Sequence, residues 1–411
     1  MAEITISGTG CALADFLYSA IDFEGPAFSR YRSSSPGDGG LVPGALVFAE
    51  QVERFAGCPA EEAVREISGA GRPDVVNLGG PAIVALVACK QLLEGMPVRL
   101  RFAGASGDDE AGRFIRETIA KTGIHAEGSK VVPGRSPVTY VLSDSKAAGG
   151  HGERTFINRI AASGSFGPED LPPGFFDADI TLFGATALVP RLHEALGELL
   201  LRAKARGTLT VVSTVYDFAS EHENPGGRWP LGRSDESYRD IDLLVADREE
   251  ALHLSGTADI DAAADFFRRR GVGACIVTDG PNPVCFFSAG RRFANVRGSL
   301  PVSLEVSRRL AAGLRTGDTT GCGDNFVGGV LASIALQLLC GTEALDLPTA
   351  CALGIACGGQ ACFYLGGTYA EATPGDKLAE VSELYESFRR QAHDLFPIER
   401  LALLRGERSG A

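Results

Sequence analysis

The sequence predicts a three-layer α/β/α fold with a mainly parallel sheet and a small β-sheet lid. Two patterns carry that expectation: short β-branched runs alternate with longer amphipathic stretches, and two segments break the alternation. Composition permits it, since 411 residues with 45% hydrophobic and 22% charged content can bury a large core.

The runs EITIS (3–7), VRLRFAG (98–104), ITLFGA (180–185), TLTVVSTV (208–215), DLLVAD (242–247) and ACIVTDG (274–280) read as strands. Between several of them, stretches such as AGRFIRETIAKTG and RLHEALGELLLRAKARG repeat apolar residues at helical spacing. Repetition of βαβ units gives a parallel sheet covered by helices on both faces. The rhythm breaks at about 16–48 and 135–160. The second of these, PVTYVLSDSKAAGGHGERTFINR, reads as two alternating strands joined by a Gly-rich turn. Together the two segments are expected to form the lid. No repeat or linker is visible, so 1–399 is expected to be one domain and 400–411 a loosely held tail.

The net charge of −13 opposes non-specific binding to nucleic acid or anionic membranes and favours small-molecule chemistry. Ten cysteines without a CxxC pair read as reduced core thiols, and the start MAEITISGTG lacks the basic, apolar pattern of a secretory signal. A cytoplasmic location follows as the expectation. The fragments HEALG at 193 and EHE at 221 lack the second histidine of a zinc protease.

TGDTTGCGDNFVGGV (316–330) packs five glycines and two aspartates into fifteen residues. The stripe Phe326, Val327, Val330, Leu331, Ile334, Leu338 places a helix start near Gly323. The glycine loop is therefore a helix N-terminus, where unpaired N–H groups and the dipole favour an anion such as phosphate. No lysine follows the glycines, so this is not a P-loop, and an aspartate stands where an acid or base would act. Phosphoryl transfer to an alcohol accounts for both: N–H groups of Gly321, Cys322 and Gly323 stabilise the transferring group while Asp324 takes the hydroxyl proton. The competing account is a helix start capped by Asp324, with glycines for tight packing.

DTTGCGDNFVGG resembles the second signature of the ribokinase-like (phosphofructokinase-B-type) sugar and nucleoside kinases, whose final Asp is the catalytic base. Further parts follow in that family's order from about residue 4 to about 390. GTGCALADF resembles the first strand with a substrate-binding Asp, here Asp15, and LGGPAIVALVACKQL the substrate-contacting turn, here Gly79 and Gly80. GASGDDEAG (104–112) is similar to the acidic glycine pattern that follows, and HGERTFI (151–157) to a lid strand. DLLVADREEA resembles the element near magnesium, with Asp247 where Asn is usual and Glu250 retained; VTDG is similar to a nucleotide-contacting turn at Thr278 and Gly280.

The resemblance implies a ribokinase-like core, ATP and Mg2+, with Asp247 and Glu250 acting on the metal through water. It also implies K+ at Asp318 and Thr320, residues that otherwise cap the turn. A homodimer through exposed lid edges is a further expectation. Val84 stands where the family has a substrate-contacting Asn and cannot hydrogen-bond a hydroxyl. The leading expectation is an ATP-dependent kinase acting on a hydroxymethyl group of a sugar or polyol. The alternatives are a nucleoside kinase of the same fold, a non-catalytic sugar- or nucleotide-binding relative, and a dinucleotide-binding oxidoreductase suggested by GTGCALAD.

Overall fold

The computed structural model describes residues 3–35, 37–147, 152–313, 319–399 and 401. All six runs expected as strands lie side by side and parallel. Their order is β5 (Val98–Ala103), β1 (Ile4–Gly10), β10 (Ile180–Gly184), β11 (Leu209–Ser213), β12 (Leu243–Asp247) and β13 (Ala274–Thr278). Two antiparallel strands, β14 (Val284–Ser288) and β15 (Val296–Leu300), extend the sheet to eight and were not expected from the sequence. Both are short, and β15 carries a glycine and an arginine in five residues, which blurs its alternation.

Alternate side chains of the parallel strands enter different cores. Leu182, Val211, Val245 and Ile276 pack with Ile83, Leu86, Val330 and Ile334. Their neighbours Phe183, Val212, Leu244 and Cys275 pack with Leu199, Leu200, Ala251 and Phe267. The period-2 geometry of a strand produces this division and makes the fold three-layered.

The Cys322–Leu339 helix is long and apolar enough to cross a membrane by composition, but 72% of it is buried inside the protein. It is the central helix of one layer. Gly328 and Gly329 permit close packing on both sides: a Cβ on the first would lie 2.6 Å from Ala88 Cβ, and on the second 2.6 Å from the Leu353 carbonyl oxygen.

The second sheet has five strands, in the order β3 (Leu46–Phe48), β9 (Glu153–Arg159), β8 (Val138–Asp144), β2 (Leu13–Tyr18) and β4 (Val75–Gly79). β8 and β9 form the expected hairpin, with Val138 opposite Arg159 and Asp144 opposite Glu153. Its turn at 148–151 lies outside the described residues. β4, an edge strand paired with β2, was not foreseen in this sheet, and the described residues between Ser19 and Ala45 contribute no strand of their own. A separate two-stranded ribbon joins β6 (Ala105–Gly107) to β7 (Lys130–Val132).

Among the described residues no disulfide forms, and Cys11, Cys89, Cys275, Cys351 and Cys357 are buried. Cys340 is exposed, which departs from the expectation of core thiols throughout. Leu401 is buried, while residue 400 and residues 402–411 lie outside the described residues.

Candidate active site

The Cys322–Leu339 helix begins at the glycine loop, as the apolar stripe requires. Gly321 precedes it in the left-handed region at φ 75°, and a Cβ there would lie 2.4 Å from Gly367 Cα, so two backbones meet at this point. Among the described residues a Cβ on Gly323 would meet nothing within 4 Å, so none of them blocks an anion from approaching the main chain of the first turn. The Cys322 N–H is already engaged with the Thr319 carbonyl, at 3.3 Å. Asp324 follows in that first turn, half-buried, and desolvation of its carboxyl pushes its pKa up to about 7.

Asp15 lies on β2, opposite Asn77 of β4, and is 6% exposed. A Cβ at position 79 would fall 2.1 Å from Asp15 Oδ2, so the glycine makes room for the carboxylate. Gly80 turns the chain at φ 105° into the Pro81–Leu92 helix. Burial raises the Cys11 thiol pKa far above its ordinary value, and the charges of Asp324 and Asp15 add to it. Both carboxylates thus lie within electrostatic reach of one buried side chain. Val84 is 1% exposed and packs against Gly367, a layer beneath the surface rather than on it.

Asp247 ends β12 beside Thr278 of β13 in the parallel register. It also caps the helix Arg248–Ser255: Asp247 Oδ1 accepts from the Glu250 N–H at 2.8 Å, and Glu250 Oε2 accepts from the Asp247 N–H at 3.1 Å. Thr214 Oγ1 donates to the same Glu250 oxygen at 2.5 Å. This reciprocal arrangement is a capping box. Burial and then the neighbouring Asp247 charge raise Glu250 to about 8, with Asp324 adding to the rise. Asp247 is also raised, first by desolvation of its carboxyl, although the residue as a whole is exposed. Among the described residues no lysine or arginine pairs with either carboxylate. Two acids crowded without a counter-cation suit a hydrated divalent ion. Gly280, at φ 51°, adjoins the open end of this strand pair.

The model of the pfkB carbohydrate kinases matches residues 59–374, which span the Gly79–Gly80 turn, the acidic pair and Asp324. The chain belongs to the pfkB family. It is therefore an ATP-dependent phosphotransferase acting on an alcohol group. Among curated proteins, this pfkB kinase is 29% identical to a fructokinase of Klebsiella pneumoniae over 57% of its length and 70% of the relative's. It is 26% identical to an aminoimidazole riboside kinase of Salmonella typhimurium over 63% and 75%. Its fold matches a ribokinase from Thermotoga maritima with a TM-score of 0.59 at 16% identity, covering 94% of this chain and 100% of that one. An adenosine kinase from Schistosoma mansoni matches with a TM-score of 0.65 at 15% identity, covering 90% and 98%.

The fold removes the oxidoreductase reading. After β1 this pfkB kinase runs through Cys11 and Ala12 straight into lid strand β2, where a dinucleotide-binding unit would start a helix. One further residue joins the site: Arg154 of β9, whose Nη1 and Nη2 donate to Thr320 Oγ1 and Thr319 Oγ1, each at 2.5 Å. Its position in HGERTFI marks it only as one more polar residue of an alternating strand. Asp318, paired with Thr320 in the sequence reading, lies outside the described residues.

Proposed function

We propose that the chain transfers the γ-phosphoryl group of ATP to a hydroxymethyl group of a small sugar or related polyol, with Asp324 as general base. The observation that carries this reading is the Asp324 carboxyl at the open helix start, its pKa lifted to about 7. A carboxylate with that pKa accepts a proton near neutral pH far better than an ordinary aspartate.

In this reading Asp15 and the Gly79–Gly80 turn hold the acceptor's hydroxyls, and Asp324 receives the proton of the attacking one. The helix start of Gly321, Cys322 and Gly323 takes the charge that builds on the transferring group, the Cys322 N–H by turning from the Thr319 carbonyl it holds here. Thr278 and Gly280 contact the nucleotide. Asp247 and Glu250 would hold Mg2+ through water, and bound magnesium supplies charge neutralisation on the phosphates. The five-stranded sheet excludes water, with Arg154 fastening it to the 319–320 turn. Thr320 Oγ1, which the family resemblance implied for K+, accepts a hydrogen bond from Arg154. Two copies pairing along a lid edge belong to the same reading, and Val76 of β4 is exposed there.

The similarity to an aminoimidazole riboside kinase supports a second acceptor class, nucleosides. A screen decides between them: purified protein, ATP and magnesium are offered sugars, polyols and nucleosides while ADP is measured. ADP release that depends on a sugar or polyol supports the first reading, and release with nucleosides alone supports the second. Failure of every acceptor with folded protein contradicts both.

A further inference from the structure

Lys377 lies in the first turn of the Asp376–Gln391 helix and is 0% exposed. Its ammonium donates to Asn325 Oδ1 at 2.7 Å, Gln360 Oε1 at 3.2 Å and the Tyr364 hydroxyl at 3.3 Å. The rings of Tyr364 and Tyr369 lie 5.2 and 5.5 Å away. Three protons thus meet three neutral acceptors, between aromatic faces. The carboxylates nearby are engaged elsewhere. Glu371 accepts from the N–H groups of Gly375 and Lys377, and Glu380 from Gln360 Nε2 and the Tyr369 hydroxyl. Desolvation lowers the pKa of this lysine. Among the described residues no carboxylate contacts this buried ammonium, which is costly, and the same volume filled by methionine would avoid that cost.

The position of the charge explains its presence. Asn325 directly follows Asp324, and its Nδ2 donates to the carbonyls of Gly321 and Gly367, both at 2.8 Å. An ammonium beside Asn325 Oδ1 fixes which end of that amide faces the loop. Tyr364 accepts from Lys377 and donates to the Gly367 carbonyl at 3.2 Å, so a second route from the ammonium ends at the same place. Glu380 orients Gln360 so that its oxygen faces the lysine.

We propose that Lys377 is a positioning residue, a built-in cation that holds the Gly321–Asn325 turn in its phosphate-binding form and makes a monovalent metal ion unnecessary there. The catalytic part of this claim rests on the proposed kinase function; the cation-binding part does not.

The test compares wild type, Lys377→Met and Lys377→Ala. Wild type should transfer phosphate equally well in potassium chloride and in tetramethylammonium chloride at equal ionic strength, and should melt at the same temperature in both. Lys377→Met, with the charge gone and the volume kept, should lose about tenfold to a hundredfold in kcat, with less than about threefold change in ATP affinity. In Lys377→Ala the vacated site should admit ammonium or potassium. About 100 mM of either should raise its melting temperature by about 2 °C and its kcat by about fivefold or more, and leave Lys377→Met unchanged.

Stimulation of wild type by potassium overturns the proposal, as does wild-type kcat in Lys377→Met. Absence of any ammonium or potassium effect in folded Lys377→Ala does so too. If neither variant folds, the wild-type salt comparison decides. If no acceptor is found, the melting comparisons decide without turnover, which separates failure here from failure of the kinase reading.

Discussion

Gly79 and Asp15 are fitted to each other: a Cβ at position 79 would sit 2.1 Å from Asp15 Oδ2, and 2.6 Å from Leu13 Cδ1. The small sheet thus accommodates the buried aspartate only because its edge strand ends in glycine. Gly79→Ala should push the Asp15 carboxylate aside and strain β2 against β4, costing about 1–3 kcal/mol of stability. The acceptor's KM should rise more than the KM for ATP. Steady-state kinetics with each substrate varied, alongside a melt, checks this; an unchanged acceptor KM would separate Asp15 from substrate binding.

Arg154 joins the lid hairpin to Thr319 and Thr320. Arg154→Gln removes the charge and both contacts while leaving the hairpin's backbone pairing intact. Phosphoryl transfer should fall by about tenfold to a hundredfold, with little change in melting temperature. ATP hydrolysis without acceptor should rise relative to transfer, because the lid then shields the site less. Parallel assays of ADP and phosphorylated product give that ratio.

Asp247 caps its helix, and its proposed role toward magnesium can be separated from that cap. Asparagine caps a helix about as well as aspartate, so Asp247→Asn should melt within about 0.5 kcal/mol of wild type. It removes one of the charges that raise Glu250. The magnesium concentration for half-maximal activity should increase several-fold, as a magnesium titration at fixed ATP reads directly. An unchanged titration would confine Asp247 to its cap.

Asp324 also sets a stability trend. Its carboxyl holds a proton in the folded chain up to about pH 7, against an ordinary value of 3.8. Between those values the native state binds more protons than the unfolded state, so this contribution to stability is full below about pH 4 and is lost as pH rises through 7. Glu250, raised to about 8, works in the same direction. The variant Asp324→Asn lacks the term, so its melting temperature relative to wild type should climb between pH 5 and pH 8. Melts of both proteins without nucleotide measure the gap.

Much of this was legible in the sequence, for identifiable reasons. The six parallel strands are buried on both faces, which selects short, β-branched, nearly uninterrupted apolar runs. β4 was not legible as a lid strand, since VVNLG runs directly into the apolar Pro81–Leu92 helix. Asp247 and Glu250 stood out by resemblance to a metal element, yet their D-x-x-E spacing is equally the signature of the capping box now seen. Lys377 had no signal at all: in PGDKLAE it reads as a solvated residue at a helix start, and only packing against Tyr364 and Asn325 buries it. Long-range placement of this kind leaves no local pattern.

The central claim is that Asp324 is the base, and Asp324→Asn tests it most directly. Gly321, not Asp324, is the N-cap of this helix and no side chain caps it, so the amide keeps the shape of the helix start but cannot take the hydroxyl proton. With an acceptor from the screen, phosphoryl transfer, ATP binding and melting are measured on the same preparation. The account predicts a fall in kcat on the order of 10²–10⁴, with ATP affinity nearly unchanged and a melting temperature at pH 8 no lower than wild type. A folded Asp324→Asn protein turning over at near-wild-type rate would contradict it.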